Sequence, residues 1–186
     1  MKPKYRTTAG ALMLIGAAQF LIGITISEAL YPGYSVYGNA ISNLGVGATA
    51  WLFNSSAMLF GAMAVIAGFL ILKAFDDKVV AAFLAISGLG IIFVGLVSQK
   101  IAFIHSAAAA IAFLFGPLAA LASYRIAKKP MKYFCLLFGI ISLAALALYR
   151  AEIYLGLGWG MERMIVYPTL FWAMGFGGYL IAKGEK

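Results

Sequence analysis

Long apolar segments separated by short polar breaks dominate the sequence. Six of these segments have roughly the twenty apolar residues that an α-helix needs to cross a hydrocarbon core. They run approximately over residues 8–30, 51–74, 79–97, 102–125, 131–149 and 161–182. The breaks between them are too short for a separate soluble domain. The pattern therefore predicts an all-α, polytopic membrane helical bundle that forms one six-span domain over residues 1–186.

The break from Tyr31 to Asn54 differs from the others, because it is rich in Tyr, Ser, Asn and Gly and has no charged residue. Its polar residues recur with helical spacing, and its apolar residues do so on another side. The polar residues are Ser35, Asn39, Ser42 and Asn43, and the apolar residues are Val36, Ala40, Ile41 and Leu44. With Pro32-Gly33 as a turn and Ser35 as N-cap, this predicts a short amphipathic external helix between spans one and two.

Composition agrees with a membrane location. Hydrophobic residues make up 64% of the chain, charged residues 11%, and the mean hydropathy is +0.98. The net charge of +8 would favour a nucleic-acid partner in a soluble protein. Here the bases cluster at the ends of apolar segments, where they satisfy the orientation rule for membrane insertion, so no nucleic-acid partner is predicted.

Lys and Arg predict the orientation of the spans. With a cytoplasmic N-terminus, most of the basic residues fall on the cytoplasmic side, which is the distribution that membrane insertion favours. The cytoplasmic set is Lys2, Lys4, Arg6, Lys73, Lys78, Arg125, Lys128, Lys129, Lys132, Lys183 and Lys186. The opposite side keeps Lys100, Arg150 and Arg163. Six spans then place both termini in the cytoplasm.

The polar residues left over gather at the predicted external ends of the spans. Ionisable groups near a membrane are unfavourable unless paired or hydrated, so they indicate a functional site. The ligand-binding candidates are Glu28, Ser35, Asn39, Ser42, Asn43, His105, Arg150, Glu162 and Arg163. The alternative is that these residues reach lipid headgroups and only fix the helix ends.

Helical geometry predicts partners for the charged candidates. Glu162 and Arg163 are adjacent and point about 100 degrees apart on a helix, so each needs a partner on another element. We expect Arg150 to pair with Glu162, and Glu28 or Glu152 to pair with Arg163.

Aromatic residues and small residues add two further expectations. Trp159, Arg163 and Tyr167 are spaced four apart, which predicts a cation-π contact on Arg163. Small residues four apart predict close helix approach in lipid. These pairs are Ala64 with Gly68, Ala81 with Ala85, and Ala173 with Gly177.

His105 and Cys135 are each the single residue of their type. One imidazole and scattered carboxylates have no metal-ligand spacing, so neither a metal nor a cofactor is predicted. His105 is consistent with a proton acceptor, a hydrogen-bond donor to a headgroup, or a packing residue with one bonded nitrogen. Cys135 lacks a thiol partner in the chain, and its redox role stays open.

Several stretches resemble a known family. "YSVYGNAISNLG", "WLFN" and "GMERMIVYPTLFW" are similar to the prokaryotic membrane proteins grouped as domain of unknown function 998. The resemblance runs from span one to span six and implies a compact multi-spanning bundle in a prokaryotic cell membrane, without an activity. In the family pattern an Asp commonly stands at the position of Asn43, and that acid would be able to pair with Arg163 or bind a proton.

Three functions remain open. The first is a protein that binds or transports a lipid headgroup or small polar molecule in an outward-facing polar cavity. The second is an accessory or assembly subunit without chemistry, acting in a homo-oligomer or beside a partner membrane subunit. The third is a membrane-embedded lipid hydrolase with Ser35 or Ser42 as nucleophile, His105 as base and Glu28 or Glu162 as orienting acid. No recognised catalytic motif favours an enzyme.

Overall fold

A computed structural model describes residues 3–184. Lys2 and Lys186, two of the bases assigned to the cytoplasmic side, lie outside the described residues. Six long helices cross the molecule: α1 (Pro3–Leu30), α2 (Ala50–Phe75), α3 (Lys78–Leu96), α4 (Ala102–Ala122), α5 (Met131–Arg150) and α6 (Met161–Gly184). Short 3₁₀ turns occur at Ile41–Gly45, Gly47–Thr49, Ser123–Arg125 and Gly158–Gly160. No strand forms between residues 3 and 184.

All six helices are long and apolar enough to cross a membrane, which confirms the predicted all-α bundle. The predicted boundaries agree within a few residues, except that α1 already includes residues 3–7. Lys4 and Arg6 therefore belong to the helix and extend the apolar span instead of preceding it.

The helices form a closed ring. Each helix packs mainly on its neighbours in the sequence, and α6 returns to pack along α1. The contact between α4 and α5 is the least extensive of these six. The aromatic and aliphatic core lies inside the ring, with Phe53, Trp172 and Phe176 almost completely buried.

Glycines allow the tightest helix crossings. A Cβ on Gly61 of α2 would lie 2.5 Å from the Gly88 carbonyl oxygen of α3, and a Cβ on Gly177 would lie 2.6 Å from the Gly10 carbonyl oxygen. The predicted close approach of small residues is confirmed at Gly68, where an added Cβ would be 2.8 Å from the Ala81 carbonyl oxygen. Close packing of backbones is the expected basis of helix association in lipid.

The two ends of the ring differ in charge. We call the end that carries residues 31–49, 97–101 and 151–160 the polar end, and the opposite end the basic end. Within residues 3–184, the polar end carries Lys100, Arg150 and Arg163, and the basic end carries Lys4, Arg6, Lys73, Lys78, Arg125, Lys128, Lys129, Lys132 and Lys183. At the basic end, Asp77 caps α3 by accepting from the Val79 and Val80 amides, and it pairs with Arg125 at 3.1 Å.

A polar contact joins α1 to α2 within the apolar depth of the ring. The Gln19 amide donates to the Ser56 carbonyl oxygen at 3.0 Å and accepts from the Ser56 hydroxyl at 2.8 Å. These bonds join α1 to α2 and satisfy an amide that would otherwise be desolvated without partners. The expectation that Gln19 bonds a neighbouring helix is confirmed.

Candidate functional site

Residues 31–49 cover the polar end of the ring, but the amphipathic helix predicted there from Ser35 is much shorter. Residues 31–40 form turns and irregular backbone, and helical structure is limited to the 3₁₀ turns Ile41–Gly45 and Gly47–Thr49. The reason is local competition for backbone donors. Asn39 Oδ1 accepts from the Ser35 amide at 3.0 Å, and Ser35 Oγ accepts from the Gly38 amide at 3.3 Å. Ser35 therefore caps a turn.

The 3₁₀ turn at Ile41–Gly45 presents one apolar side and one polar side. Ile41 and Leu44, three residues apart as this helix type requires, are buried in the core. Asn43 fixes the start of the turn, because its Oδ1 accepts from the Ala40 amide at 2.8 Å and its Nδ2 donates to Gln99 Oε1 at 3.0 Å. An Asp at position 43 would keep the acceptor and lose the donor, and Gln99 would need to rotate its amide to restore the bond.

Arg163 ties the 31–49 connection to two helices. Its Nη2 lies 2.6 Å from Glu28 Oε1 of α1, and its Nη1 donates to the Asn39 carbonyl oxygen at 3.3 Å. The guanidinium also donates to the Tyr34 hydroxyl and lies 5.5 Å from the centre of that ring. The predicted pairing of Arg163 with Glu28 is formed. Its aromatic partner in the cation-π contact is Tyr34, and not Trp159 or Tyr167 as the spacing predicted.

Tyr34 links Arg163 to the backbone of the 31–49 connection. Its hydroxyl donates to the Ala40 carbonyl oxygen at 3.2 Å. Burial raises the pKa of Tyr34 above its ordinary value, although the neighbouring Arg163 charge opposes the shift. The phenol therefore stays protonated at neutral pH and keeps its donor for Ala40.

Glu162 has a different partner from the one predicted. Its side chain is buried, with the residue 5% exposed, and its Oε2 accepts from the Ser42 amide at 3.3 Å. Arg150 is exposed, and the ion pairs between described residues are Arg125 with Asp77 and Arg163 with Glu28. The predicted Arg150–Glu162 pair is wrong, because α6 turns Glu162 inward beneath residues 41 and 42 while Arg150 ends α5 at the surface.

His105 lies one turn into α4 and is 5% exposed. Its Nδ1 is 2.8 Å from the Val97 carbonyl oxygen, so Nδ1 carries the proton that this contact needs. Nε2 is buried without a hydrogen-bond partner. A buried ring nitrogen of this kind is unfavourable unless something else bonds it.

A polar cavity of about 750 Å³ opens among α4, α5, α6 and the 31–49 connection. Six of the nine candidate residues line it: Asn39, Ser42, Asn43, His105, Arg150 and Glu162. Other lining residues that hydrogen-bond or carry charge are Tyr31, Gln99, Lys100, Ser106, Tyr149 and Trp159. The remaining candidates lie outside it, since Glu28 and Arg163 form the ion pair behind the wall and Ser35 caps an exposed turn.

A second, apolar cavity of about 80 Å³ lies deeper in the ring. Phe20, Phe60 and Trp172 are among the core residues that line it. The two cavities share wall residues, namely Ser42, His105, Ala109, Phe113 and Glu162. The apolar interior of the ring therefore forms the bottom of the polar cavity.

The aromatic part of the cavity was not predicted from the sequence. Tyr149, Tyr154 and Trp159 contact one another, with ring centres 5.8 to 6.4 Å apart. Tyr149, in the last turn of α5, and Trp159, in the α5–α6 connection, line the cavity. The available signal was their position in the sequence, since Tyr149 adjoins Arg150, and Tyr154 and Trp159 lie between Arg150 and Glu162.

The geometry does not assemble the catalytic or metal site considered above. His105 Nδ1 is bonded to a backbone carbonyl, so no carboxylate orients this ring as a Ser-His-acid arrangement requires. Among the described residues, no group of three or more His, Cys, Asp or Glu side chains is placed to hold a metal ion.

Six apolar membrane-length helices and a polar cavity at one end define the class of the protein: an integral membrane protein of the multi-pass helical-bundle type. The chain belongs to the family described as "Protein of unknown function (DUF998)", which matches residues 14–179. This membership confirms the resemblance seen in the sequence. No curated protein and no solved structure matches the chain.

Proposed function

We propose that the protein binds a lipid headgroup or another small polar molecule in the polar cavity. The observation that carries this proposal is a cavity of about 750 Å³ whose wall holds Lys100 and Arg150, two exposed cations that are in neither ion pair of the described residues. A cavity lined by apolar walls and a few convergent polar groups is the usual form of a small-molecule site. A bound anionic group would supply the counter-charge that Lys100 and Arg150 lack.

The cavity favours this function over an accessory subunit without chemistry. In that alternative the polar residues would neutralise one another and leave no space. At the polar end of the described residues Glu28 and Arg163 form an ion pair, while Lys100 and Arg150 line open volume. The apolar floor supports binding more than passage, because a polar molecule would have to cross the core around Phe60 and Trp172.

Filling the cavity tests this proposal. Ala109 lies on the wall that both cavities share, so Ala109→Phe places a ring in the space that the ligand needs. We expect native mass spectrometry of the protein purified in mild detergent to show bound lipid or metabolite, and its occupancy to fall about tenfold or more in the variant.

Ala107→Phe is the matched control, because Ala107 is exposed on the same helix and lines neither cavity. Its occupancy should equal that of the unmodified protein. Equal occupancy in the Ala109 and Ala107 variants, or an unmodified protein that carries no ligand, would overturn the proposal.

We further propose that the polar end faces the outside of a prokaryotic cell and that both termini are cytoplasmic. The support is the excess of Lys and Arg at the basic end. Starting from a Cys135→Ala background, we expect Ala151→Cys to react with a membrane-impermeant maleimide on intact cells, and Lys128→Cys to react only after lysis. The reverse labelling pattern would show the opposite orientation.

A further inference from the structure

We infer that the ligand of the polar cavity is an anionic phospholipid, with its phosphate between Lys100 and Arg150 and its acyl chain between α4 and α5. This inference rests on the proposed function and names its ligand class. It depends on three features of the cavity: its free cations, the start of α4 and the shape of its walls.

The charge of the cavity wall favours an anion. Lys100 and Arg150 are exposed, line the cavity, and are absent from the two ion pairs of the described residues. The lining contains one carboxylate, Glu162, and its Oε2 is already bonded by the Ser42 amide. Two cations without partners beside one bonded carboxylate leave a net positive wall.

The start of α4 adds backbone donors to these cations. Ile101 is the N-cap residue and makes no side-chain cap bond, so no side chain satisfies the first amides of α4. Ala102, the first residue of the helix, lines the cavity. Helix N-termini bind phosphate through free N–H groups and the positive end of the helix dipole. Lys100 lies two residues before this point and increases the same attraction.

The shape of the cavity favours a lipid over a free ion. Its α4 wall runs from Ala102 to Phe113, which corresponds to roughly 16 Å along the helix axis, about half of a hydrocarbon core. Leu146 of α5 lines the opposite side, and the α4–α5 contact is the least extensive between neighbouring helices. Ser106 and Ala110 are exposed on this wall. A small ion needs the charged end alone, whereas an acyl chain uses the apolar length.

Lipid exchange followed by native mass spectrometry tests the inference. The delipidated protein is offered phosphatidylglycerol and phosphatidylcholine with identical acyl chains, each also in competition with inorganic phosphate. We expect phosphatidylglycerol to bind about tenfold more tightly. The double variant Lys100→Gln/Arg150→Gln should bind both lipids equally. Lys128→Gln/Lys129→Gln, which removes two exposed charges at the basic end, should keep the tenfold preference.

The outcomes separate the two proposals. Binding of both lipids with equal affinity to the unmodified protein overturns the anionic class and leaves the proposed function standing. Displacement of the lipid by millimolar inorganic phosphate overturns the lipid assignment in favour of a free anion. Failure of every probe to bind, in a protein that remains monodisperse, overturns the inference, whereas the proposed function is decided by whether the protein as purified carries a ligand that Ala109→Phe removes.

Discussion

Replacing Arg163 with alanine is expected to lower the free energy of unfolding by about 3–5 kcal/mol, because it leaves a partly buried carboxylate without its cation. The side chains of Arg163 and Glu28 are 7% and 21% exposed, and their closest atoms are 2.6 Å apart. The same substitution removes the bond to the Asn39 carbonyl oxygen and the contact with Tyr34. The 31–49 connection should therefore loosen together with the α1–α6 contact.

The measurement is the loss of monodisperse protein on heating in detergent. Arg150→Ala is the comparison variant. Arg150 is an exposed arginine at the same end with no ion pair, so its removal should change stability by less than about 1 kcal/mol. Glu28→Arg combined with Arg163→Glu should recover part of the loss, since the ion pair returns but the bonds to Asn39 and Tyr34 do not. Equal stability of the Arg163 and Arg150 variants would contradict this account of the pair.

Gly61→Ala is expected to destabilise the ring by about 1–3 kcal/mol, although alanine is the better helix former. Its Cβ would lie 2.5 Å from the Gly88 carbonyl oxygen and 2.9 Å from the Ile92 backbone nitrogen. Both contacts are backbone, so no side-chain rotation relieves them. The α2–α3 interface, the most extensive in the ring, would have to separate.

Gly178→Ala is the matched control for this substitution. Nothing lies within 4 Å of the Cβ that it adds, and the position is helical. It should leave stability unchanged or raise it by roughly 0.5–1 kcal/mol through helix propensity. Both variants are compared with the unmodified protein by thermal unfolding in the same detergent. A Gly61→Ala protein as stable as Gly178→Ala would mean that the crossing is looser than the distances indicate.

Much of the fold was predictable because it depends on the lipid environment more than on the details of side-chain packing. Twenty apolar residues in lipid have few options other than a helix, since every backbone N–H and C=O needs a partner within the segment. The contact of Gly68 with Ala81 followed from the same reasoning, because small residues at helical spacing mark where backbones approach.

The location of the candidate site was predictable, but its internal geometry was not. Polar residues at span ends indicated the correct end of the bundle, and six of the nine lie on one cavity. The periodicity of residues 35–44 predicted a helix, yet Ser35 and Asn39 instead satisfy backbone donors within a turn. The direction of Glu162 depended on how residues 41 and 42 fold back onto α6, which no local pattern encodes.

The closed ring also constrains biosynthesis. Glu28 and Arg163 are 135 positions apart in the chain, and the Gly10–Gly177 crossing joins the same pair of helices. During translation α1 therefore enters the bilayer long before its partner exists, and Glu28 has to remain hydrated or at the interface until α6 arrives. When α6, the last of these six helices to be made, joins the ring, it completes the ion pair, fixes the 31–49 connection and gives the cavity its Glu162 wall.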